Sequence, residues 1–324
     1  MAQTVGGLGE IALVDRIIAA TRAVKGPRKG VVVVGAGDDA AVLAAPDGRV
    51  VVTTDVLVES RHFRRDWSSA EDIGVKAVAE NLADIAAMGA RPTGLVIGLA
   101  LPPETEVAWV DGFLAGVLAE AGRVGAALAG GDVVRADVIF VSVTAMGDLE
   151  DREPVLRSGA RAGDVMAVSG RLGCAAAGLA VLSRGFRSPR ALVDAHRRPE
   201  PDYTAGIRAA KSGAHALMDV SDGLLLDAGR LAKASGVSID LDSAVIPVDE
   251  VLVSTAAAYN LDPLTWVLGG GDDHALLGAF AKGATLPEGF TAIGKAAKCD
   301  PDGPVVSVDG RAPAFMPGFE HFRS

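Results

Sequence analysis

The residues of this chain best placed to do chemistry are aspartates. Asp39, Asp55, Asp84, Asp132, Asp219 and Asp222 each stand at the end of a strand-like run or on a helix face, beside Gly, Ala or Thr. Small neighbours let a ligand or a second stretch of backbone approach closely. A single Asp-Gly turn is usually structural, through its turn hydrogen bonds; a series of them along one chain is a different observation. If these carboxylates converge, two of them ~4 Å apart repel by roughly 4 kcal/mol at an effective dielectric of 20, so the cluster needs cations. Mg²⁺ suits it, being a hard ion that takes few carboxylates, keeps waters and shares phosphate oxygens. The chemistry implied is phosphoryl transfer or another ATP-driven step. A structural Ca²⁺ site is the weaker reading, because no Asp-x-Asp-x-Asp-Gly loop is present.

Composition agrees. The 324 residues carry a formal net charge of −10, which argues against nucleic acid as a partner. An acidic protein that binds a phosphate ester needs cations to hold it, and metal-held polyphosphate meets that need. With 49% hydrophobic residues the chain buries a large core, and two domains are expected, 1–148 and 149–324, divided at the charged segment Asp148–Glu153. Cys174 and Cys299 match no metal or redox spacing and read as reduced thiols. No secretory signal is recognisable, and the longest apolar stretch, near Leu95–Leu101, is too short to span a membrane. A cytoplasmic location is expected, without membrane partners.

The elements that must position the aspartates follow from periodicity. Helical spacing predicts helices over Glu10–Ala23, Ser68–Met88 and Glu104–Val124, the second opened by a capping box of Ser68 with Glu71. Asn81 and Asp84 share a face of that helix, and Lys76, Glu80 and Asp84 read as a solvated ion-pair row. Strands are expected at Val31–Val34, Ala40–Ala44, Val50–Thr54, Leu95–Leu101 and Val138–Met146, with a hairpin across Pro46-Asp47-Gly48 and a turn at Gly130-Gly-Asp132. The second half repeats the layout of strand, Asp-bearing turn and helix. It has strands at Val165–Val168, Ala216–Val220, Val237–Leu241 and Ala275–Phe280, and helices at Gly173–Leu182, Tyr203–Ala210 and from Ser221 to Ala234. The basic, Pro-bounded Arg184–Pro201 reads as a surface connection. The fold class expected is α/β.

Gly35-Ala-Gly-Asp-Asp-Ala40 imitates a dinucleotide fingerprint, with an acidic residue further on at Asp55. That motif needs a helix N-terminus facing the pyrophosphate, and Pro46-Asp-Gly48 arrives too soon for one. There is no P-loop, no His-Glu-x-x-His and no Cys/His cluster.

Read together, Gly37-Asp-Asp-Ala-Ala41, Thr53-Thr-Asp55, His62-Phe63, Asn81–Ala90, Gly130-Gly-Asp132, Arg157-Ser-Gly159, Asp219-Val-Ser-Asp-Gly223 and Gly270-Gly-Asp-Asp273 resemble, in order and over nearly the whole chain, the thiamine-monophosphate kinases of the aminoimidazole ribonucleotide synthetase-like superfamily. The resemblance implies a two-domain fold of mixed sheets covered by helices, a homodimer joined through the N-terminal sheet, and ATP as co-substrate with several Mg²⁺. It implies transfer of the γ-phosphoryl to thiamine monophosphate. By matched position Asp39, Thr53, Thr54, Asp55, Asp84, Asp132, Asp219 and Asp222 form the metal shell, of which Asp39, Asp84, Asp132 and Asp222 are catalytic. Gly130, Gly131, Asp132, Arg157 and Ser221 meet the nucleotide, and His62, Asp272 and Phe319 meet the acceptor.

Two departures stand out: the family usually has Gly-Gly-Glu-Asp where this chain has Gly270-Gly-Asp-Asp273, and Trp or Tyr is common where Phe319 stands. The rival is another ATP-dependent synthetase or cyclo-ligase of the superfamily. The selenophosphate synthetases carry an early Cys or selenocysteine, and the hydrogenase-maturation relatives a Cys-bearing tail; this chain has no Cys before Cys174 and ends Glu-His-Phe-Arg-Ser324.

Overall fold

A computed structural model describes residues 3–23, 31–35, 41–313 and 318. The sequence-predicted Asp39 and Phe319, with Asp38, lie outside the described residues. Contacts divide the chain into two compact units, Met1–Ile85 with Arg91–Asp151, and Ala86–Ala90 with Arg152–Ser324.

The elements of the first half, in chain order, are α1 (Val5–Leu8), α2 (Glu10–Ala23), β1 (Val32–Val34), β2 (Val42–Leu43), β3 (Val51–Val58), α3 (Ala70–Ala87), β4 (Arg91–Leu101), α4 (Val107–Val124), β5 (Ala127–Arg135) and β6 (Phe140–Asp148). Four strands form one sheet in the order β3-β6-β4-β5, with β3 and β4 antiparallel to β6 and β5 parallel to β4. The parallel pair is joined through α4, as a parallel connection requires. The expected hairpin is corrected: the turn at Pro46–Gly48 forms, held by the Arg49 N–H on Asp47 Oδ1 (3.0 Å), but β2 pairs back onto β1 and β3 joins β6. The capping box sits one residue later than expected. Ser69 N–H donates to Asp72 Oδ2 (2.8 Å) and Asp72 N–H to Ser69 Oγ (3.1 Å), so α3 starts at Ala70. Its apolar stripe, with Val78, Leu82 and Ile85, is fully buried.

Alternation along β3 decides which residues share a face. Leu57 is buried and Thr53 and Asp55 half-buried, whereas Val52, Thr54 and Val56 are exposed. The register Val56↔Ser142, Ser142↔Gly98 and Gly98↔Asp132 carries that open face across the sheet.

The second half contributes β7 (Val165–Ser169), α5 (Cys174–Ser183), α6 (Arg190–Arg197), α7 (Ala205–Lys211), β8 (Ala216–Val220), α8 (Leu224–Ser235), β9 (Val237–Leu241), α9 (Glu250–Ala258), α10 (Leu264–Gly269), β10 (Ala275–Phe280), β11 (Phe290–Lys298) and β12 (Val306–Val308). Its sheet runs β12-β9-β11-β7-β10-β8 and is covered on both faces. Met166, Val168, Met218 and Leu277 pack with α5, α6, α8, α9 and α10. On the other face Ala167, Leu217, Leu276 and Phe280 pack with α7 and with Ala86 and Ala87. The segment read as a surface connection holds α6, with Leu192, Val193, Ala195 and His196 buried; its arginines mask a narrow apolar face. Among the described residues no helix is long and apolar enough to cross a membrane.

Candidate active site

The first unit builds one carboxylate group against the helix-covered face of its sheet. Thr53 on β3 donates its hydroxyl to Asp84 Oδ2 on α3 at 2.6 Å, a charge-assisted bond. One step along that face, Asp55 N–H donates to Asn81 Oδ1 (3.0 Å), and Asn81 Nδ2 donates to Ala77 O (2.9 Å). Asn81 is buried and acts as a strut between helix and strand. Asp55 therefore lies in mid-strand, not at a strand end, and its main chain is clamped to α3. The three-residue spacing of Asn81 and Asp84 puts both beside β3. The ion-pair row is corrected as well: Lys76 and Glu80, 3.8 Å apart, are buried rather than solvated.

Thr54 and Asp132 are placed differently. The Thr54 hydroxyl is on the open face, donating to Val143 O (2.9 Å) and accepting from Thr144 Oγ1 (3.1 Å). Gly130-Gly-Asp132 is no turn; it lies inside β5. Asp132 projects on the open face, three strand spacings or roughly 14 Å from β3. It is exposed, and its Oδ1 accepts from Val133 N–H at 2.9 Å. Gly131 has a steric reason to be glycine: a Cβ there would fall 2.1 Å from Ile97 O. Within one chain, then, the structure brings together Thr53, Asp55 and Asp84, and leaves Thr54 and Asp132 on the other side of the sheet.

Beside Gly130–Asp132 opens a cavity of about 810 Å³, walled by Val14 and Ile17 of α2 and by Val110, Phe113 and Leu114 of α4. The sequence places these residues in two helices and gives no sign of a cavity between them. His62 lies past the end of β3, where its Nδ1 accepts from Val58 N–H at 2.9 Å. That bond fixes the neutral ring with its proton on Nε2.

The second unit builds another group at the end of β8. Asp219 is buried, with His274 Nδ1 3.3 Å from its Oδ2. The chain then turns through Ser221, Asp222 and Gly223 into α8. Gly223 has φ 125°, and a Cβ there would lie 2.8 Å from Gly269 O, so only glycine fits. Ser221 O accepts from Asp272 N–H at 2.9 Å, which ties the loop after β8 to the loop before β10.

Two residues that the sequence reading passed over complete this group. Asp227 is fully buried; its Oδ2 accepts from the N–H groups of Asp222 (2.9 Å) and Gly223 (3.2 Å). Arg230 Nη1 lies 2.5 Å from Asp222 Oδ2 and 2.7 Å from Asp227 Oδ1. Burial lifts the Asp227 carboxyl to about 6; the Asp222 N–H pulls it down and the negative charges of Asp219 and Asp222 push it up. The signal was there as Asp227 and Arg230 three apart on one helix face.

Asp273 is the most perturbed carboxyl nearby. Burial lifts it to about 7 against the pull of the Ala175 and Gly173 N–H groups, the first of which lies 2.9 Å from its Oδ1. Cys174 beside it is buried, its thiol pushed up to about 12 by burial first and by Asp273 and Asp249 second. Cys174 is therefore a protonated, inert thiol. Arg157 is exposed, and its carbonyl accepts from Ser235 Oγ at 2.8 Å.

The two sheets thus present carboxylates, threonines and glycines, hard oxygen donors suited to cations. They form the two domains of an AIR synthase related fold. Residues 37–149 match the AIR synthase related protein N-terminal domain, and residues 161–264 match the corresponding C-terminal domain. A thiamine-monophosphate kinase of Mycobacterium tuberculosis is 46% identical over 321 residues, covering 98% of this chain and 93% of the relative. The crystal structure of thiamine-monophosphate kinase from Stenotrophomonas maltophilia K279a superposes with a TM-score of 0.81 at 35% identity, covering 97% of this chain and 99% of that one. A structure described as AaThiL complexed with AMPPCP and TMP gives a TM-score of 0.77 at 34% identity, covering 99% and 100%. The chain belongs to the thiamine-monophosphate kinase family.

Proposed function

We propose that this chain transfers the γ-phosphoryl of ATP to the phosphate of thiamine monophosphate, giving thiamine diphosphate and ADP. The observation that carries this reading is the 46% identity spanning 93% of the M. tuberculosis thiamine-monophosphate kinase. The relative complexed with AMPPCP and TMP supports the same pair of substrates.

The donor set fits Mg²⁺. Thr53, Asp55 and Asp84 in the first unit, and Asp219 and Asp222 in the second, offer hard oxygens and no soft ligand. In this reading they hold the metal ions, with Asp39, Asp132 and Thr54 completing the shell. Mg²⁺ held by these residues would supply charge neutralisation to the phosphate groups. This chain's own residues then orient the reactants. The cavity beside Gly130–Asp132 lies within the usual volume range of a small-molecule site and seats the nucleoside. Arg157 and Ser221 meet the nucleotide phosphates. His62, Asp272 and Phe319 are assigned to the acceptor by their place in the motif order. An oxygen of the acceptor phosphate attacks the γ-phosphorus, the bond to the bridging oxygen breaks, and ADP leaves. The acceptor phosphate is already ionised at neutral pH, so no general base is needed and catalysis rests on position and charge. The setting is the cytoplasm, where Mg-ATP is supplied.

The same reading makes the protein a homodimer paired through the open face of the first unit's sheet. Val50, Val52 and Val56 expose 53%, 64% and 44% of their surface there, next to Thr54. Asp132 and Asp84 are on opposite faces of one chain's sheet, so a two-fold pairing lets the β5 edge of one copy complete the β3 edge of the other.

Incubation with Mg-ATP and thiamine monophosphate is expected to yield thiamine diphosphate and ADP; no diphosphate across a range of metal concentrations overturns the assignment. Asp84→Asn and Asp132→Asn are each expected to be inactive alone. Unfolded and refolded together they should recover up to about one quarter of wild-type turnover, because half the dimers are mixed and one of their two sites is intact. No recovery from a folded mixture rejects the shared site.

A further inference from the structure

One guanidinium nitrogen in the second unit touches two carboxylates. Arg230 Nη1 bridges Asp222 Oδ2 and Asp227 Oδ1 at 2.5 and 2.7 Å. Asp227 is fully buried on α8, and its other oxygen holds the Asp222 and Gly223 N–H groups. Asp227 thus fixes both the backbone that carries Asp222 and the cation that faces it. Asp219, at the start of the same loop, adds a third carboxylate, whose side-chain neighbour at 3.3 Å is His274. Two carboxylates share one guanidinium nitrogen, with Asp219 a third carboxylate at the start of the same loop.

We propose that Arg230 is a resident counter-ion and positioning residue: it keeps the Asp222 carboxylate aimed while no metal is bound, and a divalent cation must compete with it for Asp222. This rests on the reading of Asp222 as a metal ligand. Metal loading of this half of the site is then a cation exchange, and the metal concentration it needs is set by Arg230 and not by the carboxylates alone. A bare carboxylate cluster would bind metal more tightly. It would also repel itself apart when empty.

The test uses the full-length chain without nucleotide or acceptor. Mn²⁺ binding is followed by the electron paramagnetic resonance of the free ion and by calorimetry, with melting temperature as a second readout. Arg230→Met keeps the apolar stem and removes the charge; Arg230→Lys keeps the charge and loses the fork. Removing one positive charge a few ångströms from a bound cation should tighten Mn²⁺ binding in Arg230→Met by about tenfold, with Arg230→Lys close to wild type. The metal-free Arg230→Met protein should melt lower, and saturating Mn²⁺ should raise its melting temperature by more than it raises that of wild type. Arg230→Gln repeats the measurement if the Met variant fails to fold. Unchanged or weaker Mn²⁺ binding in a folded charge-removing variant, while Asp222→Asn does weaken binding, overturns the role of Arg230 and leaves the ligand assignment standing. Mn²⁺ binding unaffected by Asp222→Asn overturns both. Tighter binding in Arg230→Met with no thiamine diphosphate formed by wild type supports Arg230 and rejects only the kinase reading.

Discussion

The two carboxylate groups of this protein are held by opposite means. In the first unit Asp84 and Asp55 are positioned by neutral partners, the Thr53 hydroxyl and the Asn81 amide, on a half-buried strand. In the second, Asp222 is positioned by charge, through Arg230 and a fully buried Asp227. Neutral struts fix geometry without competing for a cation. Charged struts also fix geometry, and they add a dependence on pH and on metal concentration. The two units of one chain therefore hold their carboxylates by different chemistry.

The largest effect expected from breaking this contrast is at Asp84. Asp84→Asn keeps an acceptor for Thr53 but removes a charge, so turnover should fall about 10³-fold, equivalent to roughly 4 kcal/mol of lost transition-state stabilisation, with the melting temperature little changed. Steady-state kinetics with circular dichroism checks it; wild-type rates would remove Asp84 from the metal shell.

The pH dependence should come from the second unit. Asp273 has its pKa raised to about 7, against an unfolded value near 3.9. The folded protein keeps this proton where the unfolded chain has lost it. That contribution to stability is fully present below about pH 4 and is lost as pH rises through about 7. Asp273→Asn removes it. The stability difference between pH 5 and pH 8 should therefore be smaller in the variant than in wild type, by at most about 3 kcal/mol, read from urea unfolding at each pH. Equal pH slopes would show that the carboxyl is not neutral in the fold.

Asn81→Ala strands the Asp55 N–H in a part-buried position and should cost about 1–3 kcal/mol, with no change across the same pH range. Thr53→Val is the smallest case. It loses one hydrogen bond, about 1 kcal/mol, and should raise the half-saturating Mg²⁺ concentration a few-fold. A pH-dependent loss in either variant would blur the distinction between the two units.

Much of this was legible in the chain. Helix α2 occupies the range its apolar spacing predicted, and Thr53 and Asp84, from two separate motifs, are hydrogen-bond partners. The capping box slipped by one residue because Ser68-Ser69 offers two adjacent caps and Glu71-Asp72 two adjacent acids. Alternation along β3 turns Thr54 to the face opposite Thr53 and Asp55, a split that the Thr-Thr-Asp motif by itself does not reveal. Gly130-Gly-Asp132 reads as a turn because two glycines are usual there; in β5 it is Gly131 that lets Ile97 pass close by. Lys76 and Glu80 read as solvated because four-residue charge spacing ordinarily marks an exposed face, and burial is a tertiary property. Asp227 and Arg230 carry only their three-residue spacing as a signal, which a surface ion pair shares; the burial that makes them brace the Asp222 loop is tertiary.

The alternation along β3 has a consequence for how the protein behaves in solution. Thr53 and Asp55 face the helices while Thr54, between them, faces outward beside exposed valines. With the proposed pairing, whatever covers Thr54 also steadies the residues on either side of it. Specific activity should then depend on how much protein is present, falling as a stock is diluted past the point where copies separate. A dilution series read alongside sedimentation would show both curves breaking at the same concentration.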